Sequence, residues 1–271
     1  MSDLMHGKRG LVMGVANDHS IAWGVARTLA ANGAKLAFTY QGESLGKRVK
    51  PLAASVAADL VMPCDVEDIA SVDAVFAEVA RTWGTLDFLV HAIAFSDRTQ
   101  LTGRYADVTR ENFLRTALIS CFAFTEAAKR AAALMPNGGA MLTLTYNGGD
   151  RVMPNYTVMG PAKAALEASV RYLAVDFGSQ AIRVNAISSG PIRTLAGAGI
   201  GDARMMFAFQ QRHSPLHRGV TLDELGGAGL YLLSDLSTGV TGEIHFVDCG
   251  YNVIAMPHPE ALRADRGRAE D

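Results

Sequence analysis

Three features of this chain predict an α/β fold built on a doubly wound parallel sheet. Apolar, β-rich runs alternate with segments of helical periodicity from residue 9 to residue 250. Several of these runs are apolar at consecutive positions, as expected of strands covered by helices on both faces. No stretch between Met1 and Met256 is rich enough in Pro, Gly or Ser to mark a linker, and no internal repeat interrupts the pattern. One domain over residues 1–256 is expected, followed by a charged tail at 257–271 that is expected to be disordered or to lie on the surface.

The strands read in order as RGLVMGVA (9–16), AKLAFTYQ (34–41), DLVMPCDV (59–66), LDFLVHAIA (86–94), GAMLTLTY (139–146), IRVNAISSG (182–190) and GEIHFVDCG (242–250). Between them the spacing of apolar residues predicts helices near 21–32, 45–57, 69–83, 110–134, 160–177 and 222–234. A seven-stranded parallel sheet flanked by helices results.

Composition narrows the function classes. Hydrophobic residues make up 49% of 271, enough for a sizeable core. A formal charge of −2 gives no case for nucleic-acid binding. Three widely spaced cysteines, Cys64, Cys121 and Cys249, suggest neither a disulfide framework nor a zinc cage and fit a reducing cytoplasm. His91, His213, His217 and His245 lack metal-ligand spacing, so no metal site is expected. The amino end has no apolar signal core and no run approaches the length of a membrane span.

The turn after the first strand, GVANDHSIAWGVA, suits a dinucleotide. Gly14 offers a tight turn, Ser20 stands where the next helix would be N-capped, and Gly24 would allow close approach of helix and strand. The N–H groups after Ser20 would face a pyrophosphate. The spacing differs from G-x-G-x-x-G, and an ordinary Gly turn with a capped helix would look the same. The second strand ends in Gln41, where an acidic residue for the adenosine ribose is usual. A neutral amide favours NAD, while Lys47 and Arg48 nearby leave NADP open. Asp65 stands where a carboxylate could accept from the adenine amine, with Val66 adding its N–H, or where a residue could cap the following helix. Together with the alternating strands and helices, such a turn predicts a single Rossmann-type domain.

The segment TLTYNGGDRVMPNYTVMGPAK (143–163) carries the chemistry. A doubly wound domain with a lysine on the helix after strand five resembles the short-chain dehydrogenase/reductase superfamily. Its ordinary members place a tyrosine four residues before that lysine and a serine about seventeen before it. Here those positions hold Met159 and Tyr146. Tyr156 lies seven residues before Lys163, within about 20° of it around a helix, so the two would share a face if the helix begins near Asn155. Pro161 is tolerated in a first turn. The Lys163 ammonium would then lower the Tyr156 pKa and strengthen its donation to an oxyanion.

The moved tyrosine, Tyr146 in the serine position and the turn G-x5-S-I-A-x-G together resemble the enoyl-acyl carrier protein reductases of bacterial fatty acid synthesis, over residues 6–256. The resemblance implies an NADH-dependent reduction of a trans-2-enoyl thioester carried on acyl carrier protein, with Tyr156 stabilising the enolate, Lys163 holding the nicotinamide ribose and Tyr146 lining the acyl pocket. It places Ser96, Tyr146 and Tyr156 against substrate. It places Gly14, Ser20, Ile21, Gln41, Asp65, Val66 and Ile93 along the cofactor, and Ile192, Arg193, Thr194, Leu195 and Ala196 over the nicotinamide. It further implies a homotetramer, a cytoplasmic enzyme and a mobile substrate lid near 195–215. An acidic carrier protein would meet a basic patch drawn from Arg193, Arg204, Arg212 or Arg218. Ala94, Pro161, Ser189 and Cys249 depart from the common pattern of that family. A ketone reductase of the same superfamily and a dinucleotide-sensing protein are the alternatives. Met159 and Tyr146 speak against the first, and Tyr156 with Lys163 against the second.

Overall fold

The computed structural model describes residues 3–195 and 202–260. Its seven strands are β1 (Arg9–Met13), β2 (Lys35–Tyr40), β3 (Leu60–Pro63), β4 (Phe88–His91), β5 (Gly139–Thr145), β6 (Ile182–Ser189) and β7 (Ile244–Val247). All pair in parallel, in the order β3-β2-β1-β4-β5-β6-β7. The helices are α1 (Ile21–Ala31), α2 (Gly42–Ser55), α3 (Ile69–Trp83), α4 (Arg110–Ala117), α5 (Ala123–Ala133), α6 (Met159–Gly178), α7 (Ala203–His213) and α8 (Leu222–Leu233). A π-helical turn, Leu118–Phe122, joins α4 to α5, so the single helix expected over 110–134 contains a local widening.

Alternate residues of each strand feed two cores. Leu11, Met13, Leu89, Met141 and Val184 pack with residues of α3, α5 and α6 on one face. Val12, Phe38, Val90, Leu142 and Ile187 pack with α1, α2 and α8 on the other. Period-two alternation with both faces apolar explains why the strands read as unbroken apolar runs. Several strands end earlier than their apolar runs suggest. β4 stops at His91, and residues 92–96 continue as loop beyond the sheet edge.

Helix ends follow local chemistry. The Asp68 side chain accepts from the Ala70 N–H and caps α3, so Asp68 rather than Asp65 is the capping residue there. Thr221 and Glu224 form a reciprocal capping box at α8. The Arg218 guanidinium holds Glu224 at 2.6 and 3.0 Å, and with the Thr221 N–H it pulls that carboxyl down to about 2.

Gly24 serves a different contact from the expected helix–strand approach. A Cβ there would lie 2.9 Å from the Leu222 carbonyl oxygen of α8. Opposite it, a Cβ on Gly226 would lie 2.8 Å from the Gly24 oxygen and would overlap the Thr28 hydroxyl. The two helices therefore cross with backbones in near contact. Chain order places α1 and α8 far apart, so periodicity alone does not reveal this crossing.

This crossing gives a paired prediction. Gly226→Ala should destabilise the fold by about 1–3 kcal/mol through overpacking. Gly227→Ala, on the exposed side of the same helix with open space around it, should be neutral or stabilising by up to about 1 kcal/mol. Urea unfolding of both variants checks this, and equal shifts would show that the helix crossing does not depend on Gly226.

Candidate active site

The strand order reverses direction between β1 and β4: the chain winds from β1 to β2 and β3 on one side and from β4 onward on the other. Loops leaving two such strands diverge and open a crevice at their C-terminal ends. Gly14 ends β1 at φ +101°, and a Cβ on it would overlap the Ala92 carbonyl leaving β4. Only glycine meets both demands without strain.

A cleft of about 480 Å³ occupies this edge. The β1 loop contributes Gly14, Ala16 and the start of α1 at Ser20, Ile21 and Ala22. The β4 loop contributes Ile93, Ala94, Phe95 and Ser96, and the end of β5 contributes Leu144, Thr145 and Tyr146. Tyr156, Met159 and Lys163 line it from the entrance of α6, and Ile192, Thr194 and Leu195 follow β6. Phe207 reaches in from α7.

Ser20 behaves otherwise than a side-chain cap. It occupies the N-cap position of α1, but its hydroxyl turns back to accept from the Ala16 and Asn17 N–H groups at 3.0 and 3.1 Å. It thereby holds the loop, and the first N–H groups of α1, at Ile21 and Ala22 on the cleft lining, have no side-chain cap.

Gln41 sits at the N-cap of α2, just past β2, without a capping hydrogen bond. Asp65 follows β3 and accepts from the Glu67 N–H at 3.0 Å, while Val66 is buried against the core. These three lie at the same sheet edge as the cleft, and none lines it. Arg193 is likewise outside the lining. Ala196 lies outside the described residues.

The two tyrosines and the lysine come together. Tyr146 immediately follows β5 and meets Tyr156 edge to face, with ring centroids 5.1 Å apart and planes at 69°. Gly148 makes room for the Tyr156 ring, which a Cβ would overlap. The regular helix starts at Met159 rather than near Asn155, which has φ +56°. The Gly160 N–H still reaches the Tyr156 carbonyl at 3.0 Å, so one preceding turn carries Tyr156 toward the lysine's face. Pro161 falls in the first helical turn, where its missing N–H has no intrahelical duty.

Lys163 is buried and donates to the Leu144 carbonyl at 2.8 Å. Burial drives its pKa down to about 8, partly offset by Cys121 and by Glu167, whose own carboxyl accepts from Thr145 at 2.6 Å. Burial also raises the Tyr156 phenol above its ordinary value, with Tyr146 and Glu167 adding to the shift. The expected lowering by the Lys163 ammonium is not found, because desolvation dominates. Tyr156 is a firmly neutral donor, and its hydroxyl has no hydrogen-bond partner among the described residues. His91 is neutral as well, burial taking its pKa down to about 3.

Met159 fills the position of the ordinary superfamily tyrosine with an apolar wall. It packs with Leu101 and Tyr156, and its sulfur lies 3.7 Å from the Ser120 hydroxyl. Ser120 comes from the π turn and also bridges the Phe95 N–H and carbonyl at 3.0 and 2.9 Å. Ser96 is held by Asn112 and Thr116, the latter at 3.0 Å. Gln210 of α7, not singled out from sequence, donates to the Tyr146 hydroxyl at 2.7 Å. Among the described residues no group of His, Cys, Asp and Glu could hold a metal.

The family described as enoyl-(acyl carrier protein) reductase matches residues 14–252. Enoyl-(acyl-carrier-protein) reductase (NADH) 2 of Rhizobium meliloti (strain 1021) is 70% identical over 263 residues, covering 97% of this chain and 98% of the relative. The crystal structure of FabI from Candidatus Liberibacter asiaticus superposes with a TM-score of 0.93 at 59% identity, covering 95% of this chain and 100% of that one. The reductase of Anaplasma phagocytophilum, solved in complex with NAD, gives 0.92 at 55% identity, covering 95% and 98%. The family match over most of the chain and a relative of this identity along nearly its whole length show that the chain belongs to the enoyl-(acyl carrier protein) reductase family.

Proposed function

We propose that this protein reduces the carbon–carbon double bond of trans-2-enoyl thioesters on acyl carrier protein with NADH, and that Tyr156 is the donor to the developing enolate. The observation that carries the assignment is a buried, neutral Tyr156 whose hydroxyl is uncommitted beside a cleft in which position 159 is methionine. Reduction of a ketone needs an acid close to the forming alkoxide, whereas conjugate reduction needs a donor at a carbonyl oxygen some bonds away from the site of hydride attack.

The dinucleotide fits the residues present. Gly14 supplies a floor that a Cβ would fill, and Ile21 and Ala22 offer backbone N–H groups for the pyrophosphate at a helix N-terminus, where negative charge is favoured. Lys163 spends one of its three donors on Leu144 and keeps the others for the nicotinamide ribose. Gln41, Asp65 and Val66 serve the adenosine end, Ile93 the ribose-facing wall, and Ile192 to Ala196 the nicotinamide. Bound there, NADH would supply hydride to the β-carbon, and the resulting enolate would take one proton from solvent at the α-carbon to complete the reduction. The protein holds the thioester with its carbonyl toward Tyr156, confines the acyl chain between Leu101, Met159, Tyr146 and Phe207, and excludes water around the oxyanion. Ser96 faces the substrate from the β4 loop. Of the lid expected over 195–215, Leu195 and Phe207 line the cleft, and residues 196–201 lie outside the described residues.

A cytoplasmic homotetramer is the form we favour. Three free cysteines suit a reducing compartment. Exposed Phe113, Leu114, Phe122, Tyr172 and Val175 on α4, the π turn and α6 offer apolar surface for self-association. Among the described residues no helix is long and apolar enough to cross a membrane. Arg218 is paired with Glu224 at 2.6 Å, which weakens it as a docking cation for an acidic carrier.

Tyr156→Phe should lower turnover about a hundredfold while leaving NADH affinity unchanged. Steady-state rates with a short trans-2-enoyl thioester, together with NADH titration, test this, and wild-type turnover would remove Tyr156 as the enolate donor. The buried amine gives a pH dependence. Lys163 is cationic below about 8 and loses its charge above it, so NADH should bind more weakly as pH rises through about 8. Lys163→Met should bind NADH weakly on both sides of that range. A wild-type affinity that is flat from pH 7 to about 9.5 would show that the charge does not contribute. Because the folded pKa is depressed below the unfolded one, this group adds to stability as pH rises above about 8, so weakened binding there would not reflect its effect on unfolding.

A further inference from the structure

We propose that Gln210 is a positioning residue for the reduction: by donating its side-chain N–H to the Tyr146 hydroxyl oxygen, it turns the Tyr146 proton into the cleft. This rests on the reductase reading above. A phenol carries one proton, and an oxygen that accepts from an amide must direct its own O–H elsewhere. Tyr146 lines the cleft and sets its ring against Tyr156 at 5.1 Å. The amide–hydroxyl distance is 2.7 Å, and Gln210 is only 4% exposed, so the hydrogen bond is shielded from water.

Gln210 does not itself line the cleft. It stands behind Tyr146 on α7, one helical turn after Phe207, which does line it. The docking of α7 thereby sets two things together, the apolar wall at Phe207 and the direction of the Tyr146 proton. An amide suits this task because it donates at every pH, whereas an ionised carboxylate would take the phenol proton away from the cleft. The other titratable groups near Tyr146 do not compete for its hydroxyl. Asp248 is engaged by the Gly250 and Asn252 N–H groups at 2.9 and 2.8 Å and by the Asn252 amide at 3.1 Å. Tyr251 is half-buried and raised by desolvation, and Tyr156 is neutral. On α7 itself the His213 ring packs against Phe209, with centroids 4.2 Å apart and planes tilted by 57°, and burial lowers its pKa. Glu167 faces Tyr156 from α6 and is committed to Thr145.

The test uses Gln210→Met and Gln210→Glu, each alone and combined with Tyr146→Phe, assayed with a short trans-2-enoyl thioester and NADH. Gln210→Met should lower kcat about tenfold with NADH affinity unchanged, and this loss should vanish when Tyr146 is already phenylalanine. Gln210→Glu should show a similar loss at pH 8 and regain rate as pH falls toward about 5, where the new carboxyl protonates and can donate again. That recovery also shows that the variant is folded. The proposal is overturned if the Gln210→Met loss persists in the Tyr146→Phe background, if Gln210→Glu keeps the wild-type pH profile, or if NADH affinity falls in step with kcat. Tyr156→Phe assayed alongside separates the two levels. Full activity there sinks the enolate-donor reading, whereas a disabled Tyr156→Phe with unaffected Gln210 variants sinks only the role of Gln210.

Discussion

A single buried contact organises the catalytic edge of this molecule: the Lys163 amine held 2.8 Å from the Leu144 carbonyl. An ammonium withdrawn from water costs several kcal/mol unless it is met by polar groups. Here the end of β5 meets it, while Glu167 and Cys121 help to sustain the charge. Because Lys163 lies on α6 and Leu144 on β5, the contact fixes the rotation of the helix against the strand. The turn before α6 then places Tyr156, and the residue after β5 places Tyr146. Helix register and the placing of the tyrosine pair are tied to one hydrogen bond and the cost of leaving it unmade.

The tyrosine at position 156 and the methionine at position 159 are also a packing solution. Met159 fills a buried site against Leu101 and Ser120 where a hydroxyl would need a partner. Tyr156 enters where Gly148 has no side chain to block its ring. Its phenol is held neutral by desolvation, so in the proposed role it would donate a hydrogen bond and not react as a phenolate. The deep burial that raises this pKa is also what makes a single donor effective at an oxyanion, because little water competes for it.

The fold was legible because its strands are buried on both faces and its helices have clear apolar periodicity; α3 matches its expected bounds of 69–83. That Tyr156 and Lys163 line one cleft is legible from a spacing of seven, although the helix proper begins at Met159 and not near Asn155. What escaped were contacts between residues far apart in the chain. Ser20 looks like a cap in sequence and instead ties its own loop, because the nearest donors lie behind it. Gly24 faces α8 rather than a strand, and Gln210 reaches Tyr146 across 64 residues. The sign of the Tyr156 shift is not legible for a related reason: sequence spacing suggests a nearby cation but not how completely the phenol is buried.

The central claim is that a methionine at 159 and a donor at 156 suit conjugate reduction and not ketone reduction. Its most direct test is to follow NADH oxidation by the purified protein with a short trans-2-enoyl thioester and, in parallel, the 3-oxoacyl thioester of the same chain length. The account predicts oxidation with the enoyl substrate and none with the oxo substrate. Oxidation with the oxo substrate alone would contradict it, and would mean that an acid reaches the alkoxide from a position other than 159.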